Sequence, residues 1–101
     1  MKFLFIGWCC VGVSDKVWAV MELPVYTDNK YTKVYLRCWG RRGKKLQTLR
    51  EESEYYTIME TAQAKVRKGY TSIDREKLDQ VYPEFESDLK KTAVWATLSA
   101  K

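Results

Sequence analysis

The sequence of 101 residues contains no histidine. That removes the side chain that most often acts as a general base near neutral pH. Cysteine is scarce as well: Cys9, Cys10 and Cys38, with no Cys-x-x-Cys among them. Without histidine, a structural zinc site lacks ligands. An odd count with two adjacent thiols fits small buried residues in a reducing compartment better than a disulfide framework. No glycine-rich loop of the dinucleotide or P-loop type occurs. The carboxylates mostly read as surface charges on helices. Cys38 sits between Arg37 and Trp39, but its alternation with Val34 and Leu36 directs it to a core. These absences lead to the expectation of a non-enzyme, with no catalytic residue, no metal and no cofactor.

Long apolar runs are missing too. Residues 3–11 form an apolar stretch behind one cation, too short to span a bilayer and without a clean small-x-small cleavage site. It reads as a buried strand, which implies a cytoplasmic protein that does not enter a membrane.

What is present supports a folded domain. The chain is 46% hydrophobic and 14% aromatic, enough for a real core in one domain of this length. Its net charge of +5 is uneven. Residues 1–70 hold 13 Lys+Arg against 7 Asp+Glu, whereas residues 71–101 hold 5 against 6. The first part carries the electrostatic footprint.

The pattern that organises the chain lies at residues 33–45. Val34, Leu36 and Cys38 alternate with Lys33, Tyr35, Arg37 and Trp39, so a strand there has one core face and one cationic, aromatic face. A basic turn is expected next, with Gly40 and Gly43 bracketing Arg41 and Arg42. Six cations (Arg37, Arg41, Arg42, Lys44, Lys45, Arg50) and no anion fall between positions 37 and 50.

The rest of the chain is assigned around that stretch. Residues 2–11 read as a strand apolar on both faces. Residues 16–23 read as a second strand, with Val17, Ala19, Met21 and Leu23 on one side and Lys16, Trp18, Val20 and Glu22 on the other. Residues 31–39 are the third, and 44–50 a less regular fourth, in an antiparallel meander. Tyr55, Ile58, Met59, Ala62 and Val66 then follow helical spacing and predict a core-facing stripe. Ser53 is the expected N-cap and Gly69 the stop. Thr71 to Asp74 predict the cap of a short helix reaching about Tyr82, and Pro83 the start of another. Residues 92–98 suit either a strand or a continued helix. The fold class is therefore α+β: an antiparallel sheet of four to five strands, one main helix packed across it, and a short helical C-terminal extension.

Cations among aromatic residues suit nucleic acid. Lys and Arg neutralise phosphates and release counterions. Aromatic rings stack on bases or sugars, worth about 1–3 kcal/mol per stacked base. The alternative is a protein-interaction module in which Trp39 and Arg41 anchor an acidic partner surface.

Trp39-Gly40-Arg41, following an apolar and basic strand and preceding Gly43, resembles the signature of the WGR domain family. Lys16-Val17-Trp18 approximates the family's upstream strand. Ala62 and Lys65-Val66-Arg67-Lys68-Gly69-Tyr70 stand where the family has its helix and its ending. The likeness covers roughly residues 3–70, leaving residues 71–101 as an extension packed on the same domain. It implies a small antiparallel sheet with a helix across it and DNA binding at ends or breaks, with little sequence preference. In poly(ADP-ribose) polymerases the domain's Trp packs on a terminal sugar and its Arg lies at the DNA and at contacts to neighbouring domains. By that likeness Trp39 is the sugar-packing residue and Arg41 the DNA or relay residue, while Lys16 and Tyr70 contact backbone phosphate. Arg37, Gly40, Arg42, Lys44 and Lys45 complete the expected DNA-binding set. Asp15 departs from the family's usual amide, and an acid there opposes phosphate. RNA, and the oligomeric state, are left open by the sequence.

Overall fold

A computed structural model of the protein describes residues 2–92. Four strands come first: β1 (Lys2–Cys9), β2 (Lys16–Glu22), β3 (Lys33–Arg41) and β4 (Gln47–Ser53). Then follow α1 (Tyr55–Arg67), a two-residue β5 (Thr71–Ser72), α2 (Arg75–Val81) and α3 (Phe85–Lys90). The strands form one five-stranded sheet in the order β4-β3-β2-β1-β5, antiparallel throughout. The chain is an α+β fold with a short helix at the C-terminal end of the described residues.

Alternation along the two central strands builds two cores. Val17, Ala19 and Met21 of β2 join Val34, Leu36 and Cys38 of β3 on one face. Leu78 of α2, Tyr82, and Phe85 and Leu89 of α3 cover that face, each fully buried. On the other face Trp18, Val20 and Tyr35 pack beneath Ile58 and Ala62 of α1. The sheet is thus the middle layer of three. Burying each large apolar side chain contributes about 1.5–3 kcal/mol, so the α2–α3 layer matters to stability.

This layering corrects the reading of β3. The Lys33/Tyr35/Arg37/Trp39 face is not wholly open: α1 covers its middle, Tyr35 is fully buried, and Arg37 and Trp39 are half-buried. A sheet covered on both faces needs apolar bulk on both sides of its strands, and β3 supplies it with Tyr35 and Trp39. The opposite face, expected to be core, is closed by residues from 78 to 89 of the extension.

Several boundaries move. β3 runs through Gly40 and Arg41, which pair with Val17 and Lys16, so the turn begins only at Arg42. Gly40 has φ +152°, and a Cβ there would lie 3.3 Å from Leu46 Cδ2 and 3.4 Å from the Lys45 carbonyl oxygen, so the position requires glycine. β4 starts three residues later than expected, because β3 extends through Arg41 and Trp39 pairs with Gln47, so residues 42–46 form the connection. Ser53 consequently ends β4, and Glu54 is the N-cap of α1 without a side-chain capping bond. Only Ile58 and Ala62 of the expected helical stripe are fully buried, Met59 is half-buried, and Tyr55 and Val66 face solvent. Thr71 and Ser72 add β5 beside β1 rather than capping a helix. Asp74 does cap α2, its Oδ1 accepting from the Lys77 N–H at 2.7 Å. The expectation for residues 92–98 lies, beyond Thr92, outside the described residues.

Candidate nucleic-acid interface

The structure divides the expected site between the two faces of the sheet. Lys16, Arg37, Trp39 and Tyr70 belong to the α1 face. Arg42, Lys44 and Lys45 belong to the β3–β4 hairpin beside α2 and α3. Gly40 and Arg41 stand between them at the end of β3.

On the α1 face, register does the positioning. Trp18 is opposite Trp39, and Lys16 is opposite Arg41. Two-residue periodicity sends Lys16, Trp18, Arg37 and Trp39 to the same side. The last turn of α1 lies over them and Tyr70 follows it, with the Lys65 carbonyl accepting the Tyr70 N–H at 3.1 Å. The Lys65 ammonium sits 5.5 Å from the Trp18 ring centre, and the Lys16 ammonium 5.8 Å from that of Tyr70. Trp39 and Tyr70 pack against the Trp18 core with part of each surface left open.

The electrostatics of this corner are one-sided. The pKa of Lys65 is held below the usual lysine value by partial burial first, then by the like charges of Lys68, Arg37 and Lys16. Arg37 has a carboxylate partner, Glu51 on β4. Lys16, Lys65 and Lys68 form no ion pair among the described residues. Tyr70 is kept neutral, its pKa raised by burial and then by Cys9. A neutral phenol and the half-buried Trp39 indole, on a face whose ammonium groups form no ion pair among the described residues, suit a ligand that brings negative charge and a flat or sugar-like surface.

Lys65 and Lys68 were missed by sequence reasoning. They read as ordinary cations in the last turn of a helix, favourable there because of the helix dipole. The available signal was their three-residue spacing, which puts both on one side of α1 above a strand already bearing Lys16 and Trp18.

The hairpin differs. Arg42 donates from Nη2 to Asp15 Oδ2 at 2.7 Å and from Nη1 to the Val81 carbonyl at 2.6 Å. Its backbone N–H bonds to the Asp15 carbonyl at 3.0 Å. Asp15 also accepts from Trp8 Nε1 at 3.1 Å. One arginine therefore ties the hairpin to the β1–β2 turn and to the end of α2. The acid that opposed phosphate in the sequence is neutralised here. Arg41 is exposed, and its Nη2 donates to the Val13 carbonyl at 2.6 Å. Lys44 and Lys45 are exposed at a groove of about 300 Å³ that they share with Leu46, Asp88 and Lys91.

Burial pushes the Cys38 thiol up to about 12. The three cysteines are free, with Cys10 alone exposed. Among the described residues no cluster of His, Cys, Asp and Glu could hold a metal ion, and no helix is long and apolar enough to cross a membrane. No family model, curated protein or solved structure matches the chain.

Proposed function

We propose that the chain is a non-catalytic DNA-binding module whose contact surface is the α1-face corner. Lys16, Lys65 and Lys68 take backbone phosphates, with Arg41 at the border. Trp39 packs on an exposed sugar or base, and Tyr70 lines the phosphate path. Arg37 contributes positive potential while bonded to Glu51. In this reading Arg42 supports the surface from behind, and Lys44 and Lys45 add long-range attraction only. The likeness to the WGR domain points the same way for Trp39, Arg41, Lys16 and Tyr70.

One observation carries the reading: Lys16, Arg37, Lys65 and Lys68 crowd one another on the face that carries the half-buried Trp39 and Tyr70, and among the described residues a single carboxylate answers them. Like charges held together without counter-charge raise the free energy of the isolated protein. An anion relieves that cost, so the site is complementary to a polyanion. Contacts of this kind go to phosphate and sugar and carry little sequence preference.

The test is fluorescence anisotropy with labelled blunt duplex, nicked duplex and single strand, at low and high salt. Binding that is strongest at ends or nicks, weakens steeply with salt and is lost in Trp39→Ala/Arg41→Ala supports the module. Flat traces for every nucleic acid, or binding indifferent to salt, contradict it.

A further inference from the structure

The end of the sheet opposite Gly40 has a different character. Glu22 pairs with Tyr35 and Lys33 with Ser53, so the β2–β3 loop and the start of α1 meet at that end. Four tyrosines open to solvent there: Tyr26 at 87% exposure, Tyr31 at 71%, Tyr55 at 53% and Tyr56 at 71%. One exposed tyrosine needs no explanation. Four on two segments that meet at one end of the sheet are a concentration of amphipathic side chains of the kind that marks an interaction surface.

Charge indicates what the patch takes. Residues 22–33 and 50–60 hold six carboxylates against three cations, in a chain of net charge +5. Glu22 is matched by Lys33 at 3.6 Å, Glu51 by Arg37, and Glu52 accepts from the Thr32 hydroxyl at 2.5 Å. Asp28, Glu54 and Glu60 are exposed and form no ion pair among the described residues. The Lys30 ammonium lies 5.1 Å from the centre of the Tyr31 ring, so a ring at this end already receives a cation. A groove of about 300 Å³ leads away along α1, from Tyr56 past Met59 and Glu60 to Gln63 and Arg67.

We propose that this tyrosine end is a protein-docking surface for an extended cationic segment of another protein. Arginine or lysine side chains of that segment lie over the tyrosine faces and against Asp28, Glu54 and Glu60, and its backbone follows the groove beside Tyr56. Phosphate is disfavoured, because the unmatched carboxylates would oppose it. The surface is separate from the DNA-binding corner, and its partner chemistry is opposite in sign.

Anisotropy of the full chain with a labelled short peptide of alternating arginine and glycine tests this. The control probes are a glutamate–glycine peptide and a short oligothymidine. The cationic peptide is expected to bind the wild type and Tyr26→Phe/Tyr31→Phe/Tyr56→Phe alike, since the rings remain. Tyr26→Ser/Tyr31→Ser/Tyr56→Ser and Asp28→Lys/Glu54→Lys should each weaken it about tenfold or more. All these positions are exposed, and circular dichroism verifies that each variant folds. Lys16→Gln/Lys65→Gln/Lys68→Gln should leave peptide binding unchanged, which separates this surface from the DNA reading. The proposal is overturned if the wild type ignores the cationic peptide or if the serine variant binds it equally. It is also overturned if the glutamate peptide binds as well, or if oligothymidine binds in a way that the serine substitutions abolish.

Discussion

The α1-face corner and the β3–β4 hairpin are both basic, yet the structure uses their cations in opposite ways. At the hairpin, Arg42 is consumed by Asp15 and the Val81 carbonyl, and it fastens three parts of the fold together. At the corner, Lys16 and Lys65 lie beside aromatic rings, Lys65 is crowded by Lys68, Arg37 and Lys16, and none of the three lysines forms an ion pair among the described residues. Positive charge in a sequence therefore marks two kinds of residue. A cation with a carboxylate and a carbonyl already bonded is part of the scaffold. A cation crowded by other cations leaves its charge unmatched among the described residues.

The strongest way to sharpen the contrast is to remove the layer that backs the hairpin. Phe85 is fully buried, within ring contact of both Phe3 and Tyr82. Phe85→Ala should cost about 3–5 kcal/mol in urea unfolding, a loss typical of a truncated core aromatic. A loss below about 1 kcal/mol would mean that α2 and α3 are an accessory rather than a structural layer.

Next comes charge at the corner. Lys16→Gln/Lys65→Gln/Lys68→Gln should lower duplex affinity by about 100-fold at low salt and flatten the log K against log salt slope by about 0.9 per lost phosphate contact. Lys44→Gln/Lys45→Gln should change affinity by less than about threefold, the effect of long-range potential alone. The reverse ranking would move the interface to the hairpin.

Arg42→Ala should affect stability instead of binding. It removes charged hydrogen bonds at a partly exposed site and leaves Asp15 with Trp8 as its one side-chain partner among the described residues, a cost of about 1–3 kcal/mol. Calorimetry gives the stability and anisotropy the affinity. A variant of unchanged stability and lost DNA binding would make Arg42 a contact residue and not a scaffold one.

The mildest test is alkaline pH. Burial and the hydrogen bond to Asp88 push the Tyr82 hydroxyl up to about 12, and burial does the same for the Cys38 thiol. Both groups hold their proton more tightly in the folded state. Their contribution is present in full below the unfolded values, near 9 for the thiol and 10 for the phenol, and is lost as pH rises toward 12. Urea midpoints should fall across that window, and the fall should be shallower in Tyr82→Phe. Lys65 has the opposite sign: its depressed pKa means that deprotonation at high pH removes a cost from the folded state.

Much of the fold could be read from the sequence because period-two alternation in residues 16–23 and 33–39 is strong, and register follows from it. Val17, Ala19, Leu36 and Cys38 were identifiable as core on that basis alone. The second covered face was not, because Tyr35 and Trp39 alternate with Lys33 and Arg37, and a polar neighbour makes a buried aromatic look like a surface one. Leu78, Tyr82, Phe85 and Leu89 fall at i, i+4, i+7 and i+11, but Pro83 splits that spacing between two short helices, and nothing local said which face of the sheet they would close. Of the proposed contact residues, Lys16, Trp39 and Tyr70 were named from the sequence by their types and by the likeness to a known signature. Lys65 and Lys68 were not, because their significance arises only when α1 crosses the sheet above Trp18. Arg42 looked like a ligand residue, since a sequence does not display the carbonyl of residue 81 waiting for it.

The most direct test is a backbone and indole chemical-shift map on addition of nicked duplex. Shifts are expected to concentrate at Lys16, Trp39 including its indole N–H, Lys65, Lys68 and Tyr70, with the Arg42–Leu46 turn nearly still. Shifts confined to that turn, or none in the presence of any DNA, would contradict the proposed contact surface.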